Sequence, residues 1–326
     1  MSVSSAWHTP DGHPMWQESM AFVFFDESTR AAGTAAFGTF VNRGSGLTWL
    51  GCLAAATDGV GGDAVVFQRS RNGLPLTDAD RRPDRLGAGA LHWEVVAPGH
   101  GVLVGADDGV DVRLEFRDLY PPTSWQEIDA GALDTLAAGH VECTARVAGE
   151  IALGDREVSV DGWGHRDHSW GPRVTDIVRN HRWVAGTCGP GLSFSAEALH
   201  LVDGTIATMG FVARGDEITR ARDVENLVTF DHDGLTPRRF ESRIGLETGE
   251  EVTIESEEML VCLYNHREGL VAIDALAKVR CGASTGFADL NLIANPLGGS
   301  DRPSRLLGGT LEDGLSAVAR RTMARP

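Results

Sequence analysis

The sequence predicts an all-β protein built from two consecutive barrels or sandwiches with a few short helices. Three observations carry this. Short segments of β character recur along most of the chain, with turn signals between them in a sequence holding 40 Gly. Several of these segments alternate apolar and polar residues, as in Val110-Asp111-Val112-Arg113-Leu114-Glu115-Phe116, the pattern of a half-buried antiparallel strand. And 326 residues are more than one core usually organises and about right for two.

In the first half the strand candidates are Met20–Phe25, Ala35–Val41, Leu47–Leu53, Ala64–Gln68, Leu91–Val96, Gly101–Val104 and Val110–Phe116. The polar stretch Arg69–Gly89, with five Arg, three Asp and two Pro, reads as a long loop. Ser124–Leu136 carries Trp125, Ile128, Leu133 and Leu136 at near-helical spacing behind a Ser that can cap, although Gly131 works against a helix. Strands restart at His181 and continue through Leu192–Leu201, Thr205–Ala213, Asn226–Phe230, Arg239–Glu247, Glu251–Leu263 and Leu270–Val279. Gly215-Asp216-Glu217 and Thr248-Gly249-Glu250 read as hairpin turns. Leu311–Met323 reads as a terminal helix with an Arg-rich end. The expected organisation is an N-terminal domain over 1–176 and a C-terminal domain over 177–326.

A formal net charge of −17 argues against nucleic acid or an anionic membrane as partner, since both select for clustered Lys and Arg. Lys278 is the single Lys, which reads as the coding bias of a GC-rich bacterial genome. Five widely spaced Cys form no CxxC pair and suggest free thiols in a reducing cytoplasm. The N-terminal residues lack a signal-peptide pattern, and no apolar run approaches the ~20 residues of a membrane span. The expectation is a soluble cytoplasmic protein without an integral membrane segment, to which any hydrophobic substrate must come.

The densest chemistry lies at 160–173: two Trp, two His, two Asp, two Arg, three Gly and one Pro. Such a concentration of ionisable groups is costly to bury unless paired or functional. In an extended strand Trp163, His165, Asp167 and Ser169 share one face, and Arg166, His168 and Trp170 the other. Asp167 and His168 can therefore enter one cavity together only if a bulge or turn intervenes, with Gly164 or Gly171-Pro172 as candidates. His140 and Glu142 face one way on a strand and would join this cluster if 139–147 lies beside 158–168.

The pattern Gly-x-Gly-x-Arg-Asp-His-Ser-Trp-Gly-x-Arg at 162–173 resembles the signature of the carotenoid 1,2-hydratase (hydroxyneurosporene synthase) superfamily of two-domain lipocalin-like proteins. Trp16-Gln17-Glu18-Ser19 and His140-Val141-Glu142 are similar to a bacterial branch of it. The resemblance implies two lipocalin-like barrels and an activity among hydratases, isoprenoid cyclases and Diels–Alder-type cyclases. Such chemistry needs an acid to protonate an alkene or a leaving hydroxyl, and a surface that tolerates a carbocation. A carboxylic acid in an apolar barrel supplies the first, and aromatic faces supply the second. On this reading Asp167 is the acid and His168 orients it or handles the water proton. Trp163, Trp170 and Trp183 face the cation, His140 and Glu142 line the substrate site, and Arg166 and Arg173 hold carboxylates in place. No cofactor is implied, and the substrate is a terpenoid-like alkene or alcohol.

Blander readings stand beside these. Asp167 and His168 also fit a hydrogen-bond network that locks the fold, and the Trp residues fit ordinary core. His165, Asp167, His168 and His140 could hold a metal, but neighbours on opposite strand faces make poor joint ligands, so no metal is expected. Gly282-Ala283-Ser284-Thr285-Gly286 matches a nucleophile elbow, yet a strand and not a helix follows it. The competing function is a non-catalytic protein that binds a lipid or another hydrophobic small molecule.

Overall fold

The computed structural model describes residues 7–54, 64–128, 137–173, 177–232, 236–267, 270–294 and 314–316. The chain divides into two compact units, Met1–Val174 with Glu312–Val318, and Thr175–Leu311 with Ala319–Pro326.

The first unit is one antiparallel sheet. Its strands are β1 (Trp16–Asp26), β2 (Ala31–Phe40), β3 (Ser45–Ala54), β4 (Val65–Pro75), β5 (Arg81–Arg82), β6 (Arg85–Ala88), β7 (Leu91–Ala97), β8 (His100–Asp107), β9 (Val110–Asp118), β10 (Thr123–Ser124), β11 (Gly139–Leu153) and β12 (Arg156–Pro172). A single helical turn, α1 (Trp125–Ile128), follows β10. The two longest strands, β11 and β12, form a hairpin in which Leu153 pairs with Arg156, so two residues make the turn. Gly154 takes the positive φ of 59° that this turn requires. β12 pairs on its other edge with β1, although more than 100 residues separate them in sequence.

The sheet curls so that β6 and β7 come against β2 and β3. Its concave face is apolar because the strands alternate. On β1, Met20, Phe22 and Phe24 point inward, where they meet Phe37, Trp93, Leu114 and Phe116. The Phe22 ring lies 5.1 Å from Trp93 and 5.3 Å from Phe116, centroid to centroid, a tilted and edge-on packing favoured by ring quadrupoles.

The second unit consists of β13 (Val178–Thr187), β14 (Ser193–Leu201), β15 (Ile206–Arg214), β16 (Glu217–Phe230), β17 (Pro237–Leu246), β18 (Glu251–Arg267), β19 (Leu270–Cys281) and β20 (Ser284–Ala294). Each pairs with its chain neighbour, and β13 pairs with β20 to close an eight-stranded barrel. Val184, Phe194, Val212, Phe240, Ile254, Ala275 and Leu290 fill it. The fold is all-β and lipocalin-like. No helix among the described residues is long and apolar enough to cross a membrane.

Several expectations are corrected here. The polar stretch 69–89 is not a loop: it carries the end of β4, a turn of 3-10 helix at Asp78–Asp80, β5 and β6. Its charges are matched locally. Arg69 and Arg71 both bond Asp107, and Asp80 caps the Thr77 amide at 2.8 Å. Of the helix expected over Ser124–Leu136, Trp125–Ile128 is helical, and 129–136 lies outside the described residues. Within the expected terminal helix, Gly314–Ser316 is instead a strand, β21, paired with β4. Most of the expected helix lies outside the described residues. Gly282-Ala283 forms the tight turn between β19 and β20, where Cys281 pairs with Ser284.

Candidate functional site

The register of β12 runs unbroken from Trp163 to Pro172 against β1 and from Trp163 to Trp170 against β11. No bulge intervenes at Gly164, and Gly171 keeps its place in the ladder with a φ of 117°. The period of two therefore persists, and Asp167 and His168 point to opposite faces. The structure does not bring them together, and His168 does not orient Asp167. Each face carries its own cluster.

On the outer face Asp167 pairs with Glu142 of β11, and Ser169 pairs with His140. Strand 139–153 does lie beside β12, so His140 and Glu142 join Asp167. The buried Glu142 carboxylate is held from three sides: Trp125 Nε1 donates to Oε1 at 2.6 Å, His140 Nε2 lies 3.0 Å from Oε1, and His165 Nε2 lies 3.0 Å from Oε2. Burial alone would push this carboxyl up. The hydrogen bonds from His140 and His165 outweigh it and bring the group down to about 2. His140 is buried, which disfavours its charge, but the bond to Glu142 and the field of Asp167 raise its pKa.

Asp167 differs from its neighbour. Among the described residues one hydrogen bond reaches it, from the Ala21 N–H to Oδ1 at 2.9 Å. Burial raises its carboxyl above the ordinary range, His140 opposes this, and the Glu142 charge adds to it. Beside it the Ser19 and Ser169 hydroxyls lie 3.0 Å apart, and Arg173 donates to both.

On the inner face Glu18 and His168 are fully buried. His168 Nε2 lies 2.6 Å from Glu18 Oε1, and His8 Nδ1 lies 2.8 Å from the same oxygen. Burial raises the Glu18 carboxyl, but the bonds from His168 and His8 more than offset this and keep it below the ordinary range. Burial lowers the His168 imidazole in turn, only partly opposed by Glu18. The His8 ring stacks on Trp170 at 3.7 Å with an interplanar angle of 7°. Deeper on this face Arg166 makes a two-pronged pair with Asp118, with Nε 2.9 Å from Oδ1.

The remaining expected residues are placed elsewhere. Trp163 carries the Arg146 guanidinium 4.7 Å from its ring centroid. Trp183 belongs to the second unit, where Nε1 donates to Ser195 Oγ at 2.8 Å. The sequence reading treats Glu18 only as part of the Trp16–Ser19 stretch, a first strand packing on the core or lining the barrel mouth, and assigns no role to His8, Trp125 or Asp118. A signal for Glu18 exists: it stands in phase with Met20, Phe22 and Phe24, a carboxylate on the apolar face of an alternating strand.

Residues 3–296 match the model of a family described as a domain of unknown function, DUF7064. The chain belongs to this family. No curated protein matches it in sequence. Among solved structures it is similar to a protein described as AttH from Nitrosomonas europaea, at 11% identity and a TM-score of 0.61 over 90% of this chain and 98% of the other. It is similar to CghA bound to Sch210972, at 14% identity and a TM-score of 0.61 over 90% and 95%. Kievitone hydratase from Nectria haematococca matches at 10% identity and a TM-score of 0.56 over 90% and 94%. At these identities the likeness is one of fold, and as a fold it meets the lipocalin-like architecture that the resemblance at 162–173 implies.

Proposed function

We propose that this protein is an acid–base enzyme of the lyase or isomerase type, a hydratase, dehydratase or cyclase, acting on a hydrophobic, terpenoid-like alkene or alcohol, with Asp167 as proton donor. One observation carries the reading: two carboxylates stand directly across from each other on β11 and β12, unequally supplied with donors. Glu142 takes three donors and stays an anion, and Asp167 takes one among the described residues. Like charges so placed separate into a base and an acid, the acid being the group with less support.

The chemistry follows from the layout. Asp167 gives its proton to an alkene carbon, or to a hydroxyl that leaves as water. A cation forms at the neighbouring carbon, and aromatic faces are the protein's means of tolerating it, with Trp125 on this cluster. Water addition, or loss of a proton from the adjacent carbon, completes the reaction, and the released proton returns to the Asp167 carboxylate. His140, bonded to Glu142 and within the field of Asp167, relays it. That one fold neighbour is named a hydratase supports the reaction class and names no substrate here.

The test is turnover of a panel of acyclic and cyclic terpenols and alkenes by wild type and Asp167→Asn, with folding checked by circular dichroism. The variant should bind panel members as wild type does and lose about 10²–10⁴-fold in rate, the usual worth of a positioned acid. Equal binding by both proteins without turnover by either would put a hydrophobic-ligand binding protein in its place.

A further inference from the structure

The inner-face cluster takes no part in the proton transfer assigned to Asp167, and its chemistry is independent of that reading. His8, Glu18 and His168 each present one ligand atom, and these atoms lie within 4.8 Å of one another. The geometry is convergent: His8 Nδ1 at 2.8 Å and His168 Nε2 at 2.6 Å approach the same oxygen, Oε1. Ligand atoms around one cation at about 2.0–2.2 Å stand roughly 3–4.4 Å apart, so a small shift of the imidazoles seats an ion. The outer cluster shows the contrast. There His140 and His165 take different oxygens of Glu142, which suits hydrogen bonding and not a shared ion.

Charge points the same way. Among the described residues no Arg or Lys pairs with Glu18, whereas the nearby buried Asp118 has Arg166. A buried carboxylate met only by two imidazoles and the His8 backbone N–H, which donates to Oε2 at 3.3 Å, lacks a full countercharge. His168 Nδ1 is buried without a hydrogen-bond partner, so the proton that Nε2 shares with Glu18 can move to Nδ1 without displacing another bond, and Nε2 then presents its lone pair to the ion. His8 precedes β1, and its stacking on Trp170 aims Nδ1 at the site.

We propose that His8, Glu18 and His168 bind one divalent first-row transition-metal ion of the zinc type, closing the N-terminal segment onto β1 and β12. Two imidazoles and a carboxylate form the borderline donor set such ions take, with a position left for water or ligand.

The experiment uses the full chain, stripped with a chelator and titrated with Co²⁺ and Zn²⁺. Wild type should bind one equivalent of Co²⁺, with the visible absorption of a four- or five-coordinate ion, and Zn²⁺ should displace it. His8→Ala, outside the strands and so expected to fold, should weaken binding at least ~10-fold, as should Glu18→Gln. His140→Ala should bind as wild type. No stoichiometric binding by wild type, His8→Ala binding as wild type, or a loss in His140→Ala equal to that in His8→Ala would overturn the proposal.

Discussion

The three donors on Glu142 make a quantitative demand on stability. Holding this buried carboxyl at about 2 instead of the ordinary 4.5 corresponds to about 3 kcal/mol of folding stability near neutral pH. The sign follows from the direction of the change. The folded-state pKa is depressed, so the stabilisation is complete above about pH 5 and is lost as pH falls toward 2, when the folded carboxyl takes its proton. His140 acts in the opposite window: its raised pKa adds stability below its ordinary value, which fades as pH climbs past its folded value. Glu142→Gln keeps the volume and removes the charge. Seven of the eight Trp lie in the first unit, so tryptophan fluorescence in urea reports mainly on the unit that holds Glu142. At pH 7 the variant should unfold at lower urea, its stability reduced by roughly 2–3 kcal/mol. The two proteins should converge as pH falls below 4. Curves that stay parallel from pH 7 to 3 would refute the reasoning, because the donors would then not be holding an anion.

Two further outcomes test the inner face. Arg166→Ala leaves the buried Asp118 carboxylate without its partner and should cost about 3–5 kcal/mol in chemical denaturation; Arg166→Ala with Asp118→Leu should recover part of that loss. Gly164→Ala places a Cβ 2.4 Å from Val147 Cγ2, 2.7 Å from Phe116 Cε1 and 2.9 Å from the Val23 carbonyl oxygen. The last of these is backbone and cannot swing away, so the variant should lose about 1–3 kcal/mol, read as a lower thermal midpoint.

Much of the fold is legible in the sequence where the physics is local. Val110–Phe116 alternates apolar and polar residues, and its strand buries the apolar ones. The charged stretch at 69–89 reads as a loop because solvated strand faces and loops share a composition; what makes strands of it is backbone pairing with β3 and β7, while Arg69 and Arg71 meet the Asp107 side chain more than 30 residues away. The first nine residues of β16, Glu217–Glu225, escape a sequence reading for the same reason. The expected terminal helix meets a strand at Gly314–Ser316, since an edge strand draws its hydrogen bonds from β4 and not from its own periodicity.

The signature at 160–173 divides along the same line. Its sequence alone determined that Asp167 and His168 face opposite ways unless a bulge intervenes, because side chains on a strand alternate with a period of two; that none intervenes was decided by the ladders to β1 and β11. What each residue meets was decided only by tertiary structure. Glu18 reaches His168 across 150 residues of chain, Asp118 reaches Arg166 across 48, and Glu142 stands beside Asp167 because the β11–β12 hairpin turns at Gly154. Register between distant strands is set by which apolar faces close the core, a property of the packed sheet and of no single segment.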